Sequence, residues 1–364
     1  NRIGQMMLHQ VAESSSPSAK VWNRLYQYFD AESGRLLKSA GDSAVATVDE
    51  STPGLVTLNS HAGAITVYAY NAVNSRIESV GLQQGSLGSI IAQKSWTYEA
   101  RTVDGKGTVY VPASETRYRN DDGSGAIVTS YAYVWIDGSF QYSKRTTTLP
   151  VIGTGQNGRG QTLTTESHYN SRGYLIKTVD ERGTVTEFTH DEARGGVTSK
   201  TEDAGAGKLN LLSNYTLDDR GREILTLGPA HESDIGGTPT SIRSARWTYY
   251  KDAEDGRWTF SGYRTTTGTP VDRIVGPVTI EQANIAPPSD VAYSGWRQSS
   301  VVQAAYTGTG IPSPDATFDR TSWLRWSLSL FDEASELKES RTYFAIPSSG
   351  YGARSINYAR SLYG

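Results

Sequence analysis

Between His168 and Asp203 the side chains alternate with a period of two. Tyr174, Ile176 and Thr178 fall on one face of an extended chain and Leu175, Lys177 and Val179 on the other. Asp180-Glu181-Arg182-Gly183 then interrupts the alternation. An Asp side chain can accept the N–H two residues on, and Gly adopts the positive φ of a tight turn, so the spacing predicts a hairpin. Thr184 to His190 follows as a second strand of β-branched and aromatic residues, closed by Asp191 and Gly195-Gly196. A single hairpin is marginal in water, so the pattern calls for neighbours of the same kind.

Copies recur along the chain. They begin at Tyr26-Gln27-Tyr28-Phe29-Asp30 with Gly34-Arg35-Leu36, and at Val67-Tyr68-Ala69-Tyr70-Asn71 with Ser75-Arg76-Ile77. Tyr169 with Gly173 and Asp180 with Gly183 belong to the central stretch. Later copies are Tyr215 with Gly221-Arg222, Tyr249 with Gly256-Arg257, and Phe331-Asp332 with Leu337-Lys338. Asn357-Tyr358-Ala359-Arg360 begins another. Self-similarity of this kind marks a repeat architecture, in which each unit leaves a face for the next to cover. The predicted fold is all-β: tandem antiparallel hairpins forming one long twisted or spiralling sheet, shell- or solenoid-like.

The recurring string, an aromatic, then Asp or Asn, then Gly-Arg-Leu, resembles the tyrosine-aspartate repeat of the RHS/YD-repeat family of large secreted and surface bacterial proteins. The resemblance covers most of the chain, and its signature positions are Tyr28, Asp30, Gly34, Tyr70, Tyr169, Gly173, Asp180, Gly183, Tyr215, Gly221, Tyr249, Gly256, Phe331 and Asp332. It implies sheets wound into hollow shells, an extracellular or cell-surface setting, and partners that are further modules or copies of the chain joined head to tail. Toxin-bearing members end their shell in a self-cleaving segment. No Asp-Pro-x-Gly-like stretch occurs here, which leaves a piece of a toxin-enclosing cocoon as the alternative to a fibre or adhesive surface module.

Composition narrows the remaining classes. The 364 residues include 37 Gly and 22 Tyr, and no sustained helical stripe of apolar positions interrupts the alternation. A net charge of −3 without clustering gives no electrostatic case for nucleic acid or an anionic membrane. Cysteine is absent, which removes disulfides, thiolate catalysis and cysteine metal sites. No apolar run approaches the roughly 20 residues of a membrane span. The chain begins without Met or a signal-like segment, and the expectation is a fragment or processed part of something longer.

Four regions follow from punctuation: 1–20 as the end of a preceding unit with the linker Ser14-Ser15-Ser16-Pro17, 21–228 as repeat hairpins, 229–320 as a Pro-rich segment of long loops and edge strands, and 321–364 as hairpins again. Eight of the 13 prolines lie between Pro229 and Pro314, which makes that third the expected contact surface. Trp22–Ser39 and Trp323–Ser340 also resemble each other, compatible with a larger repeat of about 300 residues or with chance.

Candidate chemistry is sparse, and the expected function is structural, without catalysis, cofactor or metal. Gly153 to Gly160 satisfies G-x-G-x-x-G, but a strand-like Gln161-Thr162-Leu163 follows where a nucleotide site needs a helix. His9, His61, His168, His190 and His231 have no zinc spacing. Asn120-Asp121-Asp122-Gly123 and Asp252 to Gly256 echo calcium loops without the terminal Glu, and read better as turns. Tyr131, Tyr133 and Trp135 share one strand face; they are either packed or a sugar-stacking platform. A carbohydrate-binding or carbohydrate-cleaving β protein is therefore the reading from a second functional class, with surface glycans as its partner.

Overall fold

The computed structural model describes residues 6–12, 21–49, 51, 55–288 and 295–363. The Ser14–Pro17 linker, Pro53 and Gly54 lie outside the described residues. The chain divides into two compact units, Asn1–Gly183 and Thr184–Gly364. That division falls inside the stretch read from sequence as one run of hairpins.

The expected architecture is present in each unit. In the first, eleven described strands run Leu8–Ala12, Val21–Phe29, Leu36–Gly41, Ala64–Tyr70, Ile77–Gln84, Ile90–Val103, Gly107–Tyr118, Ala126–Trp135, Tyr142–Thr148, Thr164–Tyr169 and Leu175–Val179. Each pairs antiparallel with the next in that order. A separate small hairpin, Val45–Asp49 with Leu55–Leu58, packs Val45 and Ala44 against Tyr26, Ala40 and Ile65.

The second unit has twelve described strands, from Val185–His190, Val197–Glu202, Leu211–Leu217, Glu223–Ile235 and Thr238–Lys251 through Gly256–Thr265, Asp272–Ile274, Val278–Ile285, Arg297–Ala304, Trp323–Phe331 and Leu337–Tyr343 to Tyr358–Leu362. They also pair antiparallel with chain neighbours. Gly256–Thr265 is bordered on one side by two short strands in succession, Asp272–Ile274 and Val278–Ile285. The described helix is a single turn, Arg354–Asn357.

Burial follows the period of two. Along Arg297–Ala304, Gln298, Ser300, Val302 and Ala304 are buried while the residues between them are not. The same face continues across the neighbouring strands as Trp326, Leu328 and Leu330, then Glu339, Arg341 and Tyr343. A second cluster joins Leu227, Trp247, Trp258, Phe260 and Val278.

Six of the eight prolines from Pro229 to Pro314 stand outside strands, as composition suggests, and two stand within them. Pro229 lies within the strand Glu223–Ile235, at the register shift between Leu227 and Ala230, and Pro239 within the strand Thr238–Lys251. A bulge needs no ladder N–H at one position, so it accommodates proline inside a long strand. The carbonyls freed there are taken up by Arg243, whose Nε donates to Gly228 O at 2.6 Å and whose Nη2 donates to Leu227 O at 3.1 Å.

Candidate functional site

The repeated feature is a turn with a carboxylate or carboxamide at its start. Asp30, Asn71, Asn170, Asp191, Asp218 and Asp332 each accept backbone N–H groups of the turn on one side-chain oxygen, at 2.7–3.1 Å. Each also donates its own N–H across the turn, to Arg35, Arg76, Tyr174, Gly196, Arg222 and Glu336 respectively. The residue before that acceptor is left-handed every time: Gly34, Ser75, Gly173, Gly195, Gly221 and Ser335. Glycine is favoured there because positive φ strains any side chain, and Ser75 and Ser335 accept that strain. Backbone and side-chain donors hold the carboxyls below the usual range. Asp30 is lowered first by the Ser33 hydroxyl, Asp191 by Arg194 and Asp332 by the Glu336 N–H. These caps therefore stabilise the fold above the ordinary carboxylate pKa and are lost as pH falls through the depressed values.

The turn sets up the junction to the next hairpin. Arg35 stacks over Tyr70 at 5.4 Å, and the Tyr70 hydroxyl donates to Leu36 O at 2.9 Å. Arg76 stacks over Tyr98 at 5.9 Å, and Tyr98 donates to Ile77 O at 2.6 Å. Arg222 stacks over Tyr250 at 3.9 Å, and Tyr250 donates to Glu223 O at 3.3 Å. In each case the arginine that follows the left-handed residue faces the tyrosine of the following strand, and the next carbonyl receives its hydroxyl. Register forces the meeting: extending the observed pairings Lys38↔Val67, Ser79↔Ser95 and Leu225↔Trp247 places each Arg opposite its Tyr. One junction uses a compact substitute, Gly196 against Leu217, where a Cβ on Gly196 would stand 2.5 Å from Leu217 Cδ1. Tyr70→Phe should keep the cation–π contact and lose the hydroxyl bond. The expected cost is about 1 kcal/mol in chemical denaturation, and an unchanged midpoint would refute the lock.

The signature residues distribute unevenly over this device. Asp30, Gly34, Gly173, Asp180, Gly183, Gly221 and Asp332 all stand in turns, with Gly183 N–H donating to Asp180 O at 3.0 Å. Tyr70, Tyr169 and Phe331 sit immediately before a turn, each at a register shift. Tyr28 and Tyr215 do not: Phe29 and Leu217 hold those positions, and Tyr28 is exposed. Tyr249 points into the aromatic core beside Phe260, whereas Tyr250 makes the junction. Gly256 is not the left-handed residue of its turn. Asp255 is, after a 3-10 turn over Asp252–Glu254, and Gly256 opens the next strand. Tyr98 and Tyr250 are not among the signature positions; the Ser75-Arg76 and Gly221-Arg222 upstream are the signal that points to them.

Tyr131, Tyr133 and Trp135 are half-buried, and the intervening Ala132 and Val134 are exposed. The polar tips of Tyr133 and Trp135 are already engaged. Tyr133 donates to Pro112 O at 2.7 Å, Trp135 Nε1 donates to Glu99 at 3.4 Å, and Arg101 stacks over Trp135 at 5.5 Å. Burial, the largest influence, pushes the Tyr133 phenol up to about 12. The Ile90–Val103/Gly107–Tyr118 hairpin thus supplies partners to two of the three aromatics.

The other motifs resolve into structure. Residues 153–160 form a loop with a 3-10 turn at Thr154–Gln156, and the next regular element is the strand Thr164–Tyr169. Asp252 is held by Arg220 and Arg222, both at 2.6 Å, and the Asp122 carboxylate accepts the Ser124 N–H at 2.8 Å. His168 meets Glu166 at 2.8 Å beside Lys144. Among the described residues no group of three or more His, Cys, Asp or Glu could hold a metal, and no helix is long and apolar enough to cross a membrane.

No protein-family model matches the chain, and no curated protein matches it. Solved structures similar to it include the crystal structure of TcdB2-TccC3, at 12% identity and a TM-score of 0.23 over 88% of this chain. The crystal structure of TcdB2-TccC3-TEV matches at 12% identity and a TM-score of 0.20 over 94%. A Photorhabdus luminescens Tc holotoxin pore matches at 12% and 0.22 over 92%. The chain spans 17% of the length of each of these.

Proposed function

We propose that this chain is a structural module of the YD-repeat kind, part of a large extracellular bacterial protein, whose work is to build a fibre or shell by adding hairpins in register. The observation that carries this reading is the junction itself: the same Arg, Tyr and carbonyl meet at the same register in three places, where a hairpin is completed by its neighbour. Catalysis has no part in the proposal. Its partners are further modules or copies of the chain. Among the described residues Leu8–Ala12 pairs only with Val21–Phe29, and Tyr358–Leu362 only with Leu337–Tyr343, which leaves ladder groups for another strand to take. Head-to-tail continuation of that kind yields a filament when the rotation does not close, and a closed particle when it does. Electron microscopy of the purified chain, with sedimentation over a concentration series, tests this. Filaments with a regular axial repeat or closed hollow particles support the module. Discrete monomers at every concentration would overturn assembly through these edges.

A further inference from the structure

In the first unit a cleft of about 470 Å³ opens on the face of the sheet where Ala64–Tyr70, Ile77–Gln84 and Ile90–Val103 lie side by side. Small-molecule pockets span roughly 300–1,000 Å³, so the volume suits a ligand rather than a trapped water. Its floor is aliphatic. Ala64 stands opposite Gln84 and Leu82 opposite Ile91, and the period of two brings these four side chains to one face. Gln93 joins them from a bulge: Val80 pairs with Lys94 and Gly81 with Ala92, which leaves Gln93 outside the ladder.

One wall comes from the turn of another hairpin. Asn120 to Ser124 connects Gly107–Tyr118 with Ala126–Trp135 and folds against Ala92, so closely that a Cβ on Gly123 would stand 3.1 Å from Ala92 N. Its geometry is fixed from within. Gly123 N–H donates to Asn120 O at 3.0 Å, Asn120 Nδ2 donates to Ser124 Oγ at 2.9 Å, and Ser124 N–H donates to the Asp122 carboxylate at 2.8 Å. The neighbours of Asp121 are thus committed to the turn, while Asp121 itself lines the cleft. It is the one charged side chain among the lining residues, and among the described residues no hydrogen bond or ion pair holds the side chains of Asp121, Gln84 or Gln93. An anion would meet a like charge there. Calcium takes about six to eight oxygens, more than one carboxylate and two carboxamides supply. A cationic N–H donor on an apolar stem matches both the free oxygens and the aliphatic floor.

The geometry points to a primary alkylammonium with a stem of about four or five carbons as the occupant of this cleft, its stem on Leu82 and Ile91 and its ammonium on Asp121, Gln84 and Gln93. Lysine side chains and free diamines share this chemistry. The site is independent of the assembly reading. It asks only that the turn at Asn120 to Ser124 be folded against the sheet.

Titrating the intact chain with pentylamine, the diamine cadaverine and N-acetyl-lysine methylamide tests it, read by ligand-observed NMR and by the methyl resonances of Leu82 and Ile91. Pentanol and pentanoate serve as the neutral and anionic counterparts. Pentylamine should bind with a Kd on the order of 1 mM and move both methyl resonances, and each counterpart should bind at least about threefold more weakly. Equal affinity for N-acetyl-lysine methylamide assigns the site to a lysine of another chain, and weaker binding of that probe assigns it to a free amine. Asp121 is exposed, so Asp121→Asn should leave the fold intact and weaken pentylamine binding by about threefold to fivefold. Leu82 is 40% exposed, and Leu82→Gln should remove the apolar floor with a loss of about tenfold. Binding of none of the amines at about 20 mM would overturn the proposal. So would pentanol binding as tightly as pentylamine, or an unchanged affinity in the Asp121→Asn chain.

Discussion

Glu339→Ala is expected to destabilise the second unit by about 3–5 kcal/mol, measured by urea denaturation followed through tryptophan fluorescence. Glu339 is 3% exposed, and one of its oxygens accepts both Arg341 Nε at 2.8 Å and Arg360 Nε at 2.7 Å. Its other oxygen accepts Arg360 Nη2 at 2.8 Å. Arg341 and Arg360 are directly opposed across neighbouring strands, and the Arg341 side chain is fully buried. Without the carboxylate two like charges face each other, and Arg341, fully buried, has no access to water. Burial, the largest single influence on Glu339, pushes its pKa up, but the hydrogen bonds from Arg360 and Arg341 and their charges outweigh it, and the net shift is downward. Its contribution is therefore fully present above the ordinary glutamate value and is lost as pH falls through the depressed one. Glu339→Ala should flatten this part of the acid limb of the stability curve. A loss below about 1 kcal/mol would show that the cluster is not held by its carboxylate.

Trp326→Ala should cost a comparable amount, about 3–5 kcal/mol. The indole is 2% exposed and stacks on Tyr343 with ring centroids 4.0 Å apart, with Tyr351 at 5.6 Å and Trp323 edge-on at 5.2 Å. Its Nε1 donates to Ser300 Oγ at 3.0 Å, so the side chain joins two strands besides filling space. Deleting it opens a void among rings that have only two torsions each with which to close it. Trp326→Phe separates the parts: most of the stack remains, the Ser300 bond is lost, and the expected cost falls well below that of alanine. Loss of the near-ultraviolet circular dichroism of this cluster should accompany Trp326→Ala. Equal stability of wild type and Trp326→Ala would contradict the packing described.

The strands and turns were legible because they are local. Alternation at Tyr174–Val179 and the Asp-x-x-Gly spacing at Asp180 and Asp218 carry their own cause, since both depend on residues within one turn. The junctions were half legible. The Arg of Gly34-Arg35 and Gly221-Arg222 stood in the recurring string, but its partners Tyr70 and Tyr250 lie across a sheet register that only pairing fixes. Tyr249 was chosen over Tyr250 because neighbours in a strand look equivalent until one is assigned to a face. Gly256 was read as a turn glycine, yet Asp255 takes the left-handed position, a conformation Asp tolerates better than most residues. Trp22–Ser39 and Trp323–Ser340 do form corresponding hairpins, but their turns differ by one residue: Phe29 pairs with Leu36 and Phe331 with Leu337. The buried pair Glu339 and Arg341, with Arg360 beside them, gave no signal at all, because charged residues on a strand read as its wet face. Likewise Asp121 and Leu82 come to line one cleft only when a turn folds against the sheet, so that cleft was not visible from the motif Asn120-Asp121-Asp122-Gly123.

The central claim is that, at three junctions, neighbouring hairpins are coupled through an arginine at the end of the turn. Native-state hydrogen exchange on Arg35→Met measures it most directly, since Arg35 lies in one turn and its stacking partner Tyr70 in the next hairpin. The account predicts faster exchange in the amides of Ala64–Tyr70 and Ile77–Gln84 as well as around Asp30–Leu36. Acceleration confined to the Asp30–Leu36 turn, with the following hairpin unchanged, would contradict it.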